Sequence, residues 1–499
     1  MKILLVNPEF PETYWSFRHA LPFEGKRCVF PPLGLLTVSS LLPQSCERRM
    51  VDLNVESLKG SHIEWADMVF ITGMLAQKKS LHSVVKECKR RGKTIVLGGP
   101  YVTSTIEELP YADHIFQGEA ETTLPQFFSD LKNGVAKRVY KAAERPPMAI
   151  SPVPDFQLMD AKRYSCMSVQ YSRGCPFSCE FCDIIEIYGR IPRTKSNQQI
   201  LAEFDELSAR GWRGPVFIVD DNFIGNKKNV RQLLPDLVDW QKRHGHPFSL
   251  LTEASVNLAD DDDLLSNMRD AGFRRVFLGI ETPVEESLKE AQKSQNRGNL
   301  LDSVKKIQSY GMEVMAGFIV GFDNDPVDIF QRQIDFIRES AIPLAMVGML
   351  NALPDTQLWK RLEREGRLLG EDATGNNTIS TVNFVPKMDV DMLVNGYQSI
   401  MKTIYKPREY YQRALDSLKR TANDMPEPTP YSLTQEIQAF VRLVLKLGVI
   451  DGERREFWRF FIQALRKHHD RMTESLRFAA MGYHFRKLND SYEPLENEG

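Results

Sequence analysis

Cysteine is scarce in this chain: seven residues in 499, an odd count too scattered for a disulfide scaffold. Charge of one sign is not in excess either. Lysine and arginine total 64 against 66 aspartate and glutamate, so the charge gives no support to a nucleic-acid partner. No apolar run approaches the roughly 20 residues of a membrane-spanning helix. The start, "MKILLVNPEF", lacks the apolar core and cleavage site of a secretory leader. A G-x-G-x-x-G after the first strand is also missing, which disfavours a dinucleotide ligand. The expectation is a soluble cytoplasmic protein with reduced thiols, long enough for three domains of roughly 150 residues each.

What is present is alternation. Residues 1–135 carry short apolar runs, "KILLV", "RRMVDLN", "MVFITGM", "TIVLGGP" and "HIFQGEAE", separated by helical stretches. That pattern predicts parallel βαβ units in a doubly wound, Rossmann-like α/β sheet. Ligands of such sheets sit beyond the carboxyl ends of the strands. Asn7–Pro8, Thr72–Gly73, Gly98–Gly99–Pro100 and Gly118–Glu119 fall there, small enough to let backbone approach a ligand or simply to turn tightly. Residues 136–164, with Pro146, Pro147, Pro152 and Pro154, read as a linker. Alternation resumes over 165–375 with six strand-like runs, which predicts a partial (β/α)6 barrel rather than a closed eightfold one. Residues 376–499 read as a helical region. Its apolar and basic side chains, and Met315, Met346, Met349, Leu350 and Leu353 before it, are explained by core packing and a solvated face, or by contact with a lipid.

The loop after the first barrel strand, "SRGCPFSCEFC", concentrates three of the seven cysteines. Cys175, Cys179 and Cys182 have the C-x3-C-x2-C spacing that can hold three corners of a [4Fe–4S] cluster, leaving one iron open for a ligand. Structural zinc wants four ligands, and the next histidines are His244 and His246, far downstream. A Cys179/Cys182 dithiol would leave Cys175 unexplained. Cys28, Cys46, Cys88 and Cys166 are isolated and read as ordinary thiols.

"CPFSCEFC" resembles the signature of the radical S-adenosylmethionine (SAM) superfamily. "GFIVG", with Gly317 and Gly321, is similar to the stretch whose backbone lies against the adenine there. The resemblance implies SAM contacts from Asp221, Glu253 and Glu281; Asp220 and Asp221 are equally able to cap the following helix. Arg190 and Arg193 either clasp a carboxylate bidentately or lie on a surface loop. Preceded by a doubly wound sheet, the barrel resembles the cobalamin-binding radical SAM class, and its extended motifs the subgroup of the hopanoid C-2 methylase. The resemblance places cobalamin at Gly98, Gly99, Pro100, Gly118 and Glu119, without the D-x-H-x-x-G histidine as a lower cobalt ligand.

The implied activity is methylation of an unactivated carbon, of a hopanoid-like or other apolar polycyclic substrate. A radical from SAM takes the hydrogen and cobalamin carries the methyl. The resemblance also implies an electron donor such as flavodoxin or ferredoxin, a small-molecule or lipid substrate, and peripheral contact with a membrane. It singles out no catalytic side chain. The alternatives are a radical SAM enzyme catalysing a non-methylating oxidation or cyclisation, and a non-catalytic iron–sulfur or cobalamin carrier.

Overall fold

A computed structural model describes every residue except 106–108, 297, 371–374, 377–380, 422–427 and 491–499. The first sheet comprises β1 (Lys2–Asn7), β2 (Glu47–Asp52), β3 (Met68–Thr72), β4 (Thr94–Gly98), β5 (His114–Gln117) and β6 (Val139–Lys141). All neighbours are parallel, in the order β2-β1-β3-β4-β5-β6. Alternation of side chains along each strand feeds two cores. Leu4, Val6, Val69 and Ile71 pack on one face with Leu81, Val84 and Val85 of the helix Lys78–Arg90. Ile3, Leu5 and Phe70 pack on the other with Leu124 and Phe127. The strand order reverses between β1 and β3, which opens a crevice beyond Asn7 and Thr72. The last strand, β6, lies within the proline-rich stretch 136–164.

The second sheet is β7 (Met167–Val169), β10 (Gly214–Ile218), β11 (Phe248–Ala254), β12 (Phe273–Glu281), β13 (Glu313–Val320) and β14 (Ala345–Met349). These six strands are parallel and run in chain order across an open barrel. Between β7 and β10, the short antiparallel pair β8 (Ser172–Arg173) and β9 (Arg193–Thr194) frames the cysteine loop. Local signals start the surrounding helices. Ser196 accepts from the Gln199 amide at the head of Asn197–Ala209, and Asp389 accepts from Met392 ahead of Val390–Ile404.

Residues 8–33 stitch the parts together. The Tyr14 hydroxyl donates to the Val347 carbonyl on β14, 2.7 Å away. His484, fully buried in the helix Met472–Asp490, accepts from the His19 amide through Nδ1 (3.4 Å). Its Nε2 lies 3.2 Å from the Thr13 carbonyl. Burial first, then the neighbouring His19, push its pKa down to about 3, so the ring is neutral with both nitrogens occupied. Among the described residues no helix is long and apolar enough to cross a membrane.

Candidate active site

The carboxyl ends of both sheets face one shared cavity of about 1050 Å3. Gly98, Gly99, Pro100, Gly118 and Glu119 line it from the first sheet, and Cys182, Asp221, Glu253, Glu281 and Gly317 from the barrel. Gly99 has φ +99°, and a Cβ there would stand 2.5 Å from the Thr72 Oγ1 and 3.0 Å from the Gly73 carbonyl. Only glycine lets the β3 and β4 ends meet so closely. Gly321 is not part of the wall. It is a turn with φ +104°, its amide donating to Asp325 Oδ2 (2.8 Å), and it holds β13 to the following loop instead.

The cysteine loop is shaped from its amino end. Gly174, at φ +98°, lies under the 189–191 backbone, and the Cys175 amide donates to the Gly189 carbonyl (3.1 Å). Cys179 is buried, while Cys175 and Cys182 are partly buried. Gln295 Nε2 reaches Cys179 Sγ at 3.3 Å, and Asn222 Nδ2 lies 4.0 Å from Cys175 Sγ. Burial raises the thiol pKa of both Cys175 and Cys182, with the neighbouring Cys179 adding to it. Amide donors are thus already aimed at two of the three sulfurs, an arrangement that suits a thiolate-held cluster.

Beside the thiols stand the acids. Burial first, then Asp220 and Asp183, raise Asp221 to about 7, and its Oδ2 is buried without a hydrogen-bond partner. Burial first, then Asp221, raise Glu253 to about 8. Glu281 is paired with Lys293 (2.5 Å) on a bulged β12 at φ +63°, a conformation costing a non-glycine residue about 1–3 kcal/mol. The raised pKa values of Asp221 and Glu253 fit a ligand that brings positive charge. Asp220 does not cap a helix. It accepts from the Tyr171 amide (2.8 Å) and the Ser172 hydroxyl (2.6 Å), fixing the entrance to the cysteine loop. The cap of the helix Lys227–Arg243 is Asn226.

Glu119 reaches the cavity but its carboxylate is already taken. Arg193 clasps it bidentately, Nη2–Oε1 2.5 Å and Nη1–Oε2 3.0 Å, and Arg173 adds a third contact at 2.6 Å. Arg173 also binds Glu121 (2.7 Å). The carboxylate that Arg193 was expected to grip is thus the protein's own, and Arg190 is a surface residue.

Sequence reading missed the aromatic part of the apolar wall. Trp15, Phe30, Phe217 and Phe277 line the cavity, with Trp15 centred 5.3 Å from Phe277 and Phe30 5.2 Å from Phe217. Met346, Met349 and Leu353 continue it, whereas Met315 lies in the core behind. Lys293 and Gln295 were missed as well, since neither belongs to a periodic element or a short motif.

A doubly wound sheet facing an open six-stranded barrel across a three-cysteine loop is the fold of the solved cobalamin-dependent radical SAM enzymes. OxsB, described with aqua-cobalamin and S-adenosylmethionine bound, superposes with a TM-score of 0.61 at 17% identity, covering 98% of this chain and 79% of that one. The radical SAM superfamily model matches residues 169–337, and a domain of unknown function, DUF4070, matches 356–496. An uncharacterized methyltransferase of Synechocystis is 41% identical, over 97% of this chain and 91% of its own length. The hopanoid C-2 methylase of Rhodopseudomonas palustris is 35% identical, over 93% and 89%. The chain belongs to the radical SAM methyltransferase family that contains these two proteins.

Proposed function

We propose that this methyltransferase acts on an unactivated carbon of an apolar polycyclic lipid, with cobalamin, SAM and a [4Fe–4S] cluster as its cofactors. The observation that carries the reading is the single cavity that joins the glycine-lined strand ends of the first sheet, Cys182 and an aromatic wall. In this reading residues 1–135 form the cobalamin domain, 165–375 the radical SAM core and 376–499 a helical region, with 136–164 between the first two. Cys175, Cys179 and Cys182 ligate the cluster, and Gln295 and Asn222 donate towards its thiolates. Asp221 and Glu253 receive the cationic end of SAM, since their raised pKa values fall when positive charge arrives. Glu281 and the Gly317 backbone hold its nucleoside end. The Gly98–Gly99–Pro100 turn and Gly118 give cobalamin a close backbone surface.

When bound, these groups supply the one-electron and methyl-transfer chemistry that side chains lack. The chain itself positions and encloses. Trp15, Phe217 and Phe277 exclude water from one side of the cavity and present a face suited to a fused-ring hydrocarbon. Electrons come from a flavodoxin or ferredoxin type of donor, and the substrate is drawn from a membrane face. Free thiols at Cys28, Cys46, Cys88 and Cys166 agree with a cytoplasmic, reducing setting.

The test is anaerobic turnover of the reconstituted protein with SAM, cobalamin, a reductant and a polycyclic triterpenoid. The expected products are 5′-deoxyadenosine and a triterpenoid one methylene unit heavier. Deoxyadenosine with an oxidised, unmethylated product would overturn the methyl transfer. No deoxyadenosine at all would leave a carrier protein.

A further inference from the structure

The C-terminal region contains a helical hairpin that is apolar on its outer side. The helix Leu433–Leu443 continues through the π-helical turn Val444–Ile450, and the chain returns as the helix Arg454–Lys467. Inside, the hairpin is properly packed. Trp458 Nε1 donates to the Gly448 carbonyl (2.9 Å), and Phe457 and Phe460 are buried, Phe460 stacked on Tyr411 at 4.6 Å.

Outside, the described residues leave it exposed. Leu433 (73% exposed), Ile437, Val441 and Leu445 follow one another along the first arm. Val449 and Ile450 (67% exposed) stand at the tip. Trp458, Ile462 and Leu465 run at three- and four-residue spacing down the second arm. With Phe440, ten of the twenty exposed large apolar side chains among the described residues lie within residues 433–465. Scattered exposed apolar residues are normal, but half of them on one hairpin of a chain this long are not.

The charges around this face identify its occupant. Residues 433–467 hold seven lysine and arginine side chains against four acidic ones, in a chain whose overall balance is slightly negative. Arg454, Arg455, Arg459 and Arg466 are exposed on the same arm as Trp458 and Ile462. Apolar residues bordered by basic ones suit the plane of an anionic bilayer, where the first enter the acyl boundary and the second meet phosphate. A second copy is a poorer partner, because a twofold contact through this face sets the same arginines against each other. The first arm rests on the helix Leu21–Glu24, Arg442 donating to the Phe23 carbonyl (3.4 Å). A few residues upstream, Trp15 and Ser16 line the cavity. The same strap therefore backs the hairpin and walls the site.

We propose that the hairpin 433–467 docks the protein onto an anionic phospholipid surface. This deepens the proposed function by naming where a lipid-directed enzyme meets its membrane. The test reads vesicle binding, without turnover, so its failure leaves the methylation reading standing. Full-length reconstituted protein is floated with vesicles of phosphatidylcholine alone and of phosphatidylcholine with phosphatidylglycerol, at low and high salt. The wild type should float with the anionic vesicles and partly dissociate in high salt. The double variant Ile437→Asp/Ile450→Asp should lose at least tenfold in binding with an unchanged melting temperature. The variant Arg455→Glu/Arg459→Glu should lose the preference for anionic lipid. A wild type that stays in the soluble fraction, or an Ile437→Asp/Ile450→Asp protein that floats as well as wild type, overturns the proposal. So does a soluble dimer, seen by sedimentation, that this variant dissociates.

Discussion

Glu119, just past β5 of the first sheet, is clasped by Arg193, which follows the cysteine loop of the barrel; two hydrogen bonds, one to each carboxylate oxygen, join them. Both side chains are largely buried, so the pair locks the first sheet to the loop that carries the three thiols. Replacing Glu119 by Gln leaves the charges of Arg193 and Arg173 under-compensated, which costs about 3–5 kcal/mol when a buried partner is removed. Urea denaturation should show the loss. A Glu119→Ala/Arg193→Ala double-mutant cycle should return a coupling energy well above that of an exposed pair.

Glu253 predicts a pH dependence of definite sign. Its folded pKa, about 8, lies above the ordinary carboxyl range, so the folded state holds this proton more tightly than the unfolded chain. Its contribution to stability is complete below the usual carboxyl pKa and is lost as pH rises through about 8. Glu253→Gln should therefore stabilise the cofactor-free protein at pH 8.5 by about 1 kcal/mol or more and make little difference at pH 5. In the same variant SAM affinity should fall. Equal urea midpoints for variant and wild type at both pH values would remove the basis for Glu253 as a cation-facing acid.

The thiols divide cleanly. Cys175→Ala, Cys179→Ala and Cys182→Ala should each lose iron and acid-labile sulfide after anaerobic reconstitution, while Cys28→Ser and Cys88→Ser keep both. Gln295→Leu removes a donor 3.3 Å from Cys179 and should shift the cluster's midpoint potential to more negative values with iron content unchanged.

Two glycines at the strand ends of the first sheet differ in what an alanine would meet. At Gly118 (φ +88°) the added Cβ finds open space, so Gly118→Ala costs only the left-handed strain of about 1–2 kcal/mol. At Gly99 the Cβ also collides with Thr72 and the Gly73 backbone, so Gly99→Ala should destabilise more. Gly99→Ala should also release cobalamin, as measured by corrin absorbance after gel filtration.

Much of this arrangement is visible in the sequence because it is local. β1, β3 and β4 announce themselves as apolar runs, and the three cysteines as a spacing within one loop. The arginine partners of Glu119 lie 54 and 74 residues downstream, and no local pattern records a meeting at that distance, so by sequence alone its carboxylate looks available to a ligand. Residues 8–33 have no sustained period, so a strap that touches both β14 and the last helix reads as a mere connection. The outer face of the hairpin was harder still. Helical spacing tells which residues share a face, but not whether anything covers it, and "FWRFFIQAL" turns out to bury Phe457 and Phe460 while exposing Trp458 and Ile462.

The strap bears on how this enzyme can be dissected. Tyr14 and His19 travel with the first sheet in the chain, yet they engage β14 and His484 at the other extreme. A cut between residues 141 and 165 would thus strip the barrel of one wall and deprive the terminal helix of its seat. Chimeras with relatives should carry residues 8–33 and 472–490 from the same parent as the barrel, exchanging only the remainder of the first sheet and its helices.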